Sequence, residues 1–227
     1  MKVTMPAPII AFDLDGTLVD TAPDLIATLN FLLARKGLPR VEEAALRIMI
    51  GGGARRLIER ALSDHGITLA EDELDHLYAE YLRHYEAHIA DHSRLFSGLE
   101  PALDTLSARG WRFAVCTNKL ERLSVLLLER FGLKGRFAAI CGQDTFATQK
   151  PDPDVLRQTI ARAGGDLENA VMVGDSATDI DMARAASIPV VAVDFGYSET
   201  PVSELGPDRI ISRYEDLPAA IFEIAAL

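Results

Sequence analysis

The stretch IIAFDLDGTLVD, from Ile9 to Asp20, decides the fold of this 227-residue chain. Its first four residues are apolar, which is typical of a buried strand, whereas Asp13 and Asp15 follow one residue apart with Gly-Thr directly after them. Buried carboxylates are costly unless a cation or a hydrogen-bond network compensates them. The stretch therefore predicts a buried strand that ends in a charged site.

The chain beyond Gly110 alternates short apolar runs, rich in β-branched residues, with segments of helical periodicity. The predicted strands are residues 112–116, 138–141, 170–173, 190–193 and 209–211. The segment DVLRQTIARAG is one of the helices between them, because its apolar residues lie on one face. This alternation predicts βαβ units, and hence an α/β fold with a parallel sheet.

No comparable strand is evident between residues 12 and 112, and this part of the chain has helical periodicity. Thr21, followed by Pro23 and Asp24, resembles a capped helix start. VEEAALRIMI (41–50), ARRLIERAL (54–62) and the apolar positions 74–85 continue the helical pattern around three glycines, residues 51–53. We therefore predict an α/β core domain of residues 1–19 and 96–227, and an all-α domain of residues 20–95 that we call the insertion.

Composition limits the function classes. The formal net charge of -11 excludes extended contact with nucleic acid or an anionic membrane, since such binding needs many lysines and arginines. Neither a membrane span nor a signal-peptide cleavage site is evident, so a cytoplasmic location is expected. A monomer and a homodimer both stay open.

Three other residue sets favour ordinary structural roles. Cys116 and Cys141 lie in apolar runs without a CxxC pair and are expected to be buried thiols. His84, His88 and His92 are spaced to share a helix face, but no further ligand is evident, so a solvated face is favoured over a zinc site. The three glycines are not a GxGxxG motif and indicate a helix break or a substrate loop.

Ligands of parallel α/β sheets bind beyond the carboxyl ends of the strands, so the residues that follow each strand are the candidates for a site. These candidates are Asp13, Asp15, Thr117, Asn118, Lys150, Asp175 and Asp179. Carboxylates, one ammonium and one hydroxyl suit a hard divalent cation such as Mg²⁺ together with a phosphoryl group. The cation would offset the cost of burying Asp13.

Four motifs in the same order, DLDGT at 13–17, TN at 117–118, KP at 150–151 and GDSATD at 174–179, closely resemble the haloacid dehalogenase superfamily of phosphotransferases. The resemblance implies a Rossmann-like core in which the insertion forms a helical cap over the site. It also implies a phosphate ester as substrate, since the dehalogenases themselves lack an acid at the position of Asp15.

The resemblance implies a role for each candidate. Asp13 would attack phosphorus and form an aspartyl-phosphate, while Asp15 would protonate the leaving alcohol and then deprotonate the hydrolytic water. Thr117, the backbone near Asn118 and Lys150 would bind the phosphoryl group.

The metal ligands follow from the same resemblance. Mg²⁺ would be bound by the carboxylates of Asp13 and Asp175 and by the backbone carbonyl of Asp15. Asp179 would support this site without contacting the ion.

Within the superfamily, the first motif and the later GGGARRLIERAL look most like the bacterial phosphoglycolate phosphatases. The resemblance implies that the partner is a small phosphate ester, 2-phosphoglycolate, whose carboxylate Arg55 or Arg56 could bind. Phosphatases or mutases acting on sugar phosphates or pyrophosphate stay open as alternatives. A phosphoacceptor receiver module is a further alternative, although such modules are much shorter and have no insertion.

Overall fold

The computed structural model describes residues 7–42 and 50–225. The strands are β1 (Ile9–Phe12), β2 (Val19–Asp20), β3 (Arg94–Leu95), β4 (Arg112–Cys116), β5 (Phe137–Cys141), β6 (Ala170–Gly174), β7 (Val190–Val193) and β8 (Arg209–Ile211). The helices within these residues are α1 (Ala22–Arg35), α2 (Ala54–Ser63), α3 (Glu71–Ala87), α4 (Leu99–Ser107), α5 (Glu121–Arg130), α6 (Pro153–Arg162), α7 (Ala177–Ala186), α8 (Val202–Leu205) and α9 (Leu217–Ala225).

Six strands form one parallel sheet in the order β5-β4-β1-β6-β7-β8. β1 lies in the middle, with Ile9 opposite Arg112 of β4 on one side and Ala170 of β6 on the other. The predicted parallel α/β fold is confirmed. β5 begins one residue before its predicted start and β6 ends one residue after its predicted end, while the other four predicted strands have their predicted bounds.

Side chains of β1 alternate between two apolar layers, as a strand buried on both faces requires. Ile10 and Phe12 pack into the layer covered by α4, α5 and α9, where the rings of Phe12 and Phe113 meet edge-on at 6.0 Å. Ile9 and Ala11 pack into the layer covered by α6 and α7. Helices on both faces bury the sheet and leave the strand ends as the place for polar groups.

Helices α1, α2 and α3 lie between β2 and β3 in the chain. These two short strands pair antiparallel, with Val19 opposite Leu95, so the chain enters and leaves this helical segment side by side. α1 and α3 pack together, and the Tyr81 hydroxyl of α3 donates a hydrogen bond to the Leu25 carbonyl at 3.1 Å. The helix predicted over 41–50 falls mainly on residues 43–49, outside the described residues.

The start of α1 differs from the expected cap. Thr21 stands at the N-cap position, but its side chain makes no capping hydrogen bond. Its hydroxyl instead donates to Asp15 at 2.7 Å. Asp24, in the first turn, accepts hydrogen bonds from the backbone N–H groups of His92 and Ser93, which tie the start of α1 to the returning chain.

The contacts of the histidines and cysteines indicate structural roles. α3 ends at Ala87, so the expected single helix face carrying all three histidines is wrong. His84 stacks on Phe31 with ring centroids 4.0 Å apart, and His88 pairs with Asp91. Cys116 and Cys141 are buried free thiols, as predicted. Within the described residues no helix is both long and apolar enough to cross a membrane.

Candidate active site

The polar residues that follow three neighbouring strands meet at one edge of the sheet. β1 lies between β4 and β6, so Asp13 comes to lie between Thr117, which follows β4, and Asp175, which follows β6. All three residues are buried. The carboxyl ends of parallel strands share one edge, which is why residues so far apart in sequence become neighbours here.

Lys150 lies among these carboxylates. Its Nζ is 3.0 Å from Asp13 Oδ1 and 2.7 Å from Asp179 Oδ1, and its side chain is only 1% exposed. Burial by itself lowers the pKa of Lys150, but the charges of Asp13 and Asp179 raise it above its ordinary value. Lys150 therefore stays an ammonium and joins the loop after β5 to the end of β1.

Asp175 is held from two directions. Its Oδ1 accepts a hydrogen bond from the Thr17 hydroxyl at 2.9 Å, and its Oδ2 accepts one from the backbone N–H of Tyr197 at 2.7 Å. Gly16 lies against it with φ +83°, and a Cβ on this residue would overlap an oxygen of Asp175. The Gly-Thr pair after the two aspartates is thus explained, since glycine allows the close approach and threonine supplies the hydrogen bond.

Three buried carboxylates face one ammonium. Oxygens of Asp13, Asp175 and Asp179 lie within 4.8 Å of one another. Burial, with the neighbouring carboxylates, raises the pKa of Asp13 to about 6 although Lys150 opposes the shift, and burial together with Asp13 raises the pKa of Asp175 to about 8. This excess of negative charge and its set of hard oxygen donors fit a divalent cation.

Asp15 has a lysine of its own. Lys119 Nζ lies 2.8 and 3.0 Å from the two oxygens of Asp15 and 4.6 Å from the centre of the Tyr85 ring. Thr21 donates to the same carboxylate. Asp13 and Asp15, one residue apart, are therefore held by different cations from different loops.

The residues after β4 contact the glycine loop that precedes α2. Thr117 is buried, and its Oγ1 accepts a hydrogen bond from the backbone N–H of Lys119 at 3.3 Å. The Asn118 side chain donates to the Gly51 carbonyl at 3.3 Å, while its Oδ1 is buried and has no partner among the described residues. The glycine loop thus lies against the candidate site.

The structure places the two candidate arginines differently. Arg55 pairs with Glu71, Asp75 and Glu59, so its charge is already neutralised by helices α2 and α3. Arg56 makes no ion pair within the described residues, and it lines a cavity that Lys150 also lines. Neither arginine lines the cavity that contains both Asp13 and Asp15.

That cavity lies between the helices of the insertion and the sheet edge, and has a volume of about 50 Å³. Asp13, Asp15 and Lys119 line it from the sheet side, while tyrosines and leucines of α2 and α3 line it from the other. One side of the cavity is therefore charged and the other apolar. We call it the aspartate cavity.

Sequence reasoning missed Lys119 and Tyr197. Lys119 directly follows Thr117 and Asn118, so extending the strand-end rule by one residue would have found it. Tyr197 lies four residues beyond β7, and its hydroxyl bonds to Asp20 and to the backbone N–H of Ala22. No sequence signal marks it, because its role depends on the packing of the loop after β7 against the start of the insertion.

Comparisons with known proteins extend over nearly the whole chain. Residues 10–193 match the family described as haloacid dehalogenase-like hydrolase. A protein named phosphoglycolate phosphatase from Mesorhizobium japonicum is 49% identical over 219 residues, covering 96% of each chain. One of the same name from Agrobacterium fabrum is 46% identical over 217 residues, covering 96% of this chain and 93% of the other. The crystal structure of a predicted phosphoglycolate phosphatase from Haemophilus somnus is 29% identical, with a TM-score of 0.84 and coverage of 96% and 98%.

Proposed function

The chain belongs to the haloacid dehalogenase-like hydrolases and is a phosphoric monoester hydrolase, and from that premise we propose that it hydrolyses 2-phosphoglycolate to glycolate and phosphate. The proposed reaction uses Mg²⁺ and passes through an aspartyl-phosphate on Asp13. The choice of substrate is supported by relatives named phosphoglycolate phosphatase, which match this chain over almost their full length.

The observation that carries the chemistry is the separation of the two aspartates. Asp13 is paired with Lys150 at 3.0 Å, next to the buried carboxylates. Asp15 lines the same aspartate cavity but is paired with Lys119 and Thr21 instead. Two carboxylates in such different surroundings are suited to different roles, one as nucleophile and one as proton carrier.

In the first step, a carboxylate oxygen of Asp13 attacks phosphorus and the bond between phosphorus and the ester oxygen breaks. Asp15 gives its proton to the departing ester oxygen, so that glycolate leaves as an alcohol. Lys150 offsets charge on Asp13 and on the phosphoryl oxygens, and Thr117 and the backbone of Asn118 hold those oxygens in place. This step needs mainly positioning and charge compensation, which the site supplies.

In the second step, water attacks the phosphorus of the aspartyl-phosphate and the bond to the Asp13 oxygen breaks. Asp15 takes the proton of that water, which restores both side chains to their starting states. One carboxylate thus acts first as acid and then as base, so Asp15 must reach both the leaving oxygen and the incoming water. Its place in the lining of the aspartate cavity is compatible with both.

The cation would be held by the carboxylates of Asp13 and Asp175 and by the backbone carbonyl of Asp15. When bound, Mg²⁺ supplies positive charge that offsets the carboxylates and the developing charge on the phosphoryl oxygens. Both oxygens of Asp179 are already engaged, Oδ1 by Lys150 and Oδ2 by the hydroxyl of Ser176. Asp179 is fully buried and paired with Lys150 at 2.7 Å, so we assign it to positioning Lys150 rather than to the ion, as the motif resemblance implies.

We also propose that the insertion, residues 20–95, acts as a cap on the core formed by residues 1–19 and 96–227. The paired strands β2 and β3 would be its connection, and the contact between Asn118 and Gly51 would form when it closes. A closed cap excludes bulk water during phosphoryl transfer.

The test is a phosphate-release assay across small esters. We expect 2-phosphoglycolate to have the highest kcat/KM in a panel that includes hexose phosphates and pyrophosphate, with Mg²⁺ present. A chelator should abolish turnover and Mg²⁺ should restore it. Higher kcat/KM for a hexose phosphate would refute the substrate, while undiminished activity in excess chelator would refute the metal.

A mutase for sugar phosphates shares the first step and must be separated from a phosphatase. A mutase passes the phosphoryl group to a second sugar hydroxyl instead of water. Steady release of free phosphate without an added sugar would therefore exclude it.

A further inference from the structure

The aspartate cavity contains one cation that the reaction described above does not use. Among the described residues that line it, Lys119 is the only lysine or arginine. Its side chain is 5% exposed. A lysine so deeply buried loses hydration, and such a residue usually serves a partner that compensates the cost.

Lys119 has donor capacity left. An ammonium has three N–H donors, and the two oxygens of Asp15 account for two of them at 2.8 and 3.0 Å. The Tyr85 ring lies beside the same ammonium at 4.6 Å. A second anion could therefore share Lys119 without displacing Asp15.

Two further polar atoms belong to residues that line the same cavity and lack partners among the described residues. Tyr85 is 1% exposed, and its hydroxyl makes no hydrogen bond to any described residue. The buried Oδ1 of Asn118 likewise accepts no hydrogen bond from any described residue. Both residues line the aspartate cavity. A buried hydroxyl without a partner is unfavourable, so a ligand that accepts its hydrogen bond would gain by binding there.

We propose that Lys119 and the Tyr85 hydroxyl form the binding site for a carboxylate on the leaving group of the substrate. The proposal rests on the proposed function, because it names the part of the enzyme that recognises an α-carboxylate ester. It places this recognition on the loop after β4 and on α3, and not on Arg55 or Arg56.

The reach of the groups fits this assignment. One carbon separates the ester oxygen of 2-phosphoglycolate from its carboxylate carbon, so the two atoms are roughly 2.5 Å apart. Asp15 must come within about 3 Å of that ester oxygen to protonate it. Lys119 Nζ is hydrogen-bonded to Asp15, so a carboxylate attached through a single carbon lies within its reach.

Charge and size point the same way. A substrate carboxylate entering this cavity approaches Asp13 and Asp15, which repel it, and Lys119 is the opposing charge among the described residues of the lining. Leu57, Leu82 and Leu123 give the cavity an apolar wall against which the methylene of the leaving group can pack. The volume of about 50 Å³ exceeds the roughly 10–15 Å³ that one buried water needs, so the cavity has room for a methylene with a carboxylate.

The experiment compares 2-phosphoglycolate with ethyl phosphate, which has the same two-carbon skeleton without the carboxylate. The measured quantity is the ratio of their kcat/KM values, which we call the carboxylate preference. K119M slows both esters, since Asp15 loses a partner, but it should lower the preference by about 10- to 100-fold, the range for a charge-assisted hydrogen bond. K119R keeps the charge and should retain most of the preference.

Y85F is the second variant, and its result is informative even if K119M does not fold or is inactive. Because the Tyr85 hydroxyl has no hydrogen-bond partner in the described part of the chain, Y85F should leave Tm unchanged or slightly higher. It should lower the carboxylate preference by roughly fivefold, as for one hydrogen bond. K134M is the matched control, because Lys134 is an exposed lysine whose ion pair within residues 7–42 and 50–225 is with Glu129, and it should change neither quantity.

The outcomes separate this inference from the proposed function. A wild-type enzyme without a carboxylate preference would overturn the proposed function and this inference with it. A wild-type preference that survives in both K119M and Y85F would overturn only the role of Lys119 and Tyr85. A preference lost in R56M but kept in K119M would place the carboxylate at the insertion arginine and also overturn the inference.

Discussion

Replacing Asp15 by asparagine tests the division of roles between the two aspartates. Asp15 accepts one hydrogen bond from Thr21 and two from Lys119. Asparagine keeps one acceptor oxygen, so the bonds to Oδ1 survive, whereas its amide N–H₂ meets the ammonium as a second donor. D15N should therefore lose about one charge-assisted hydrogen bond, or roughly 1.5–3 kcal/mol of stability, and remain folded.

The kinetic effect of D15N should depend on the leaving group. Proton transfer contributes about 10²–10⁴-fold, and an alkoxide such as glycolate needs it in order to leave. We expect the turnover of 2-phosphoglycolate to fall by about that factor. Nitrophenolate leaves without a proton, so Asp13 should still be phosphorylated by p-nitrophenyl phosphate while the hydrolysis of the aspartyl-phosphate is slowed.

Rapid-quench measurements show whether the two steps have been separated. D15N should release a burst of about one nitrophenolate per active site before slow turnover, and mass spectrometry of the acid-quenched protein should find the phosphoryl group on Asp13. D13N is the control and should show neither. Absence of both the burst and the phosphorylated Asp13 in D15N would refute the proposed roles.

Four further predictions concern the charged cluster of Asp13, Lys150, Asp175 and Asp179. K150M removes the ammonium between Asp13 and Asp179, so it should abolish turnover and lower the free energy of unfolding, measured by urea titration, by about 3–5 kcal/mol. An active variant with unchanged stability would contradict this pairing. Ca²⁺ prefers looser and higher coordination than Mg²⁺, so it should bind competitively in the phosphate-release assay without supporting turnover; full activity with Ca²⁺ would argue against a strict octahedral site. G16A should raise the Mg²⁺ concentration needed for half-maximal activity by tenfold or more, because a Cβ at Gly16 would displace Asp175; unchanged Mg²⁺ dependence would contradict the close approach. In the presence of a chelator, the free energy of unfolding should fall as the pH rises from about 4 towards 8. The pKa values of Asp13 and Asp175 in the folded protein, about 6 and about 8, exceed their ordinary value of 3.8, so the folded state binds more protons over this range. A pH dependence that saturating Mg²⁺ does not flatten would refute this origin.

The sheet could be predicted because its strands are short apolar runs with clear ends. β1, β4, β7 and β8 have their predicted bounds, and the shifts at β5 and β6 concern single residues. Polar residues directly after a strand are also visible in sequence, which is why Asp13 and Asp175 were candidates. Both signals are local, and the parallel topology converts them into a shared edge.

What could not be predicted depends on tertiary contacts. Thr21 has the sequence context of a helix cap, yet its hydroxyl bonds to Asp15, because the chain turns back at Gly16 and brings the start of α1 to the site. Two partners of Arg55, Glu71 and Asp75, lie on another helix, so sequence alone left Arg55 as available as Arg56. Such partner choices among charged residues are decided by how the helices of the insertion pack.

The spacing of the two aspartates follows from Leu14 between them. Leu14 is fully buried in the apolar layer that the insertion also contacts, while Asp13 and Asp15 both line the aspartate cavity. Because successive side chains of an extended segment lie on opposite sides, Leu14 packs in the core while Asp13 and Asp15 line the cavity. The lysines come from different loops, after β4 and after β5, so each aspartate has its own surroundings although one backbone segment carries both. The proposed nucleophile and the proposed proton carrier can therefore lie one residue apart, because the backbone sets their spacing while the two loops set their surroundings separately.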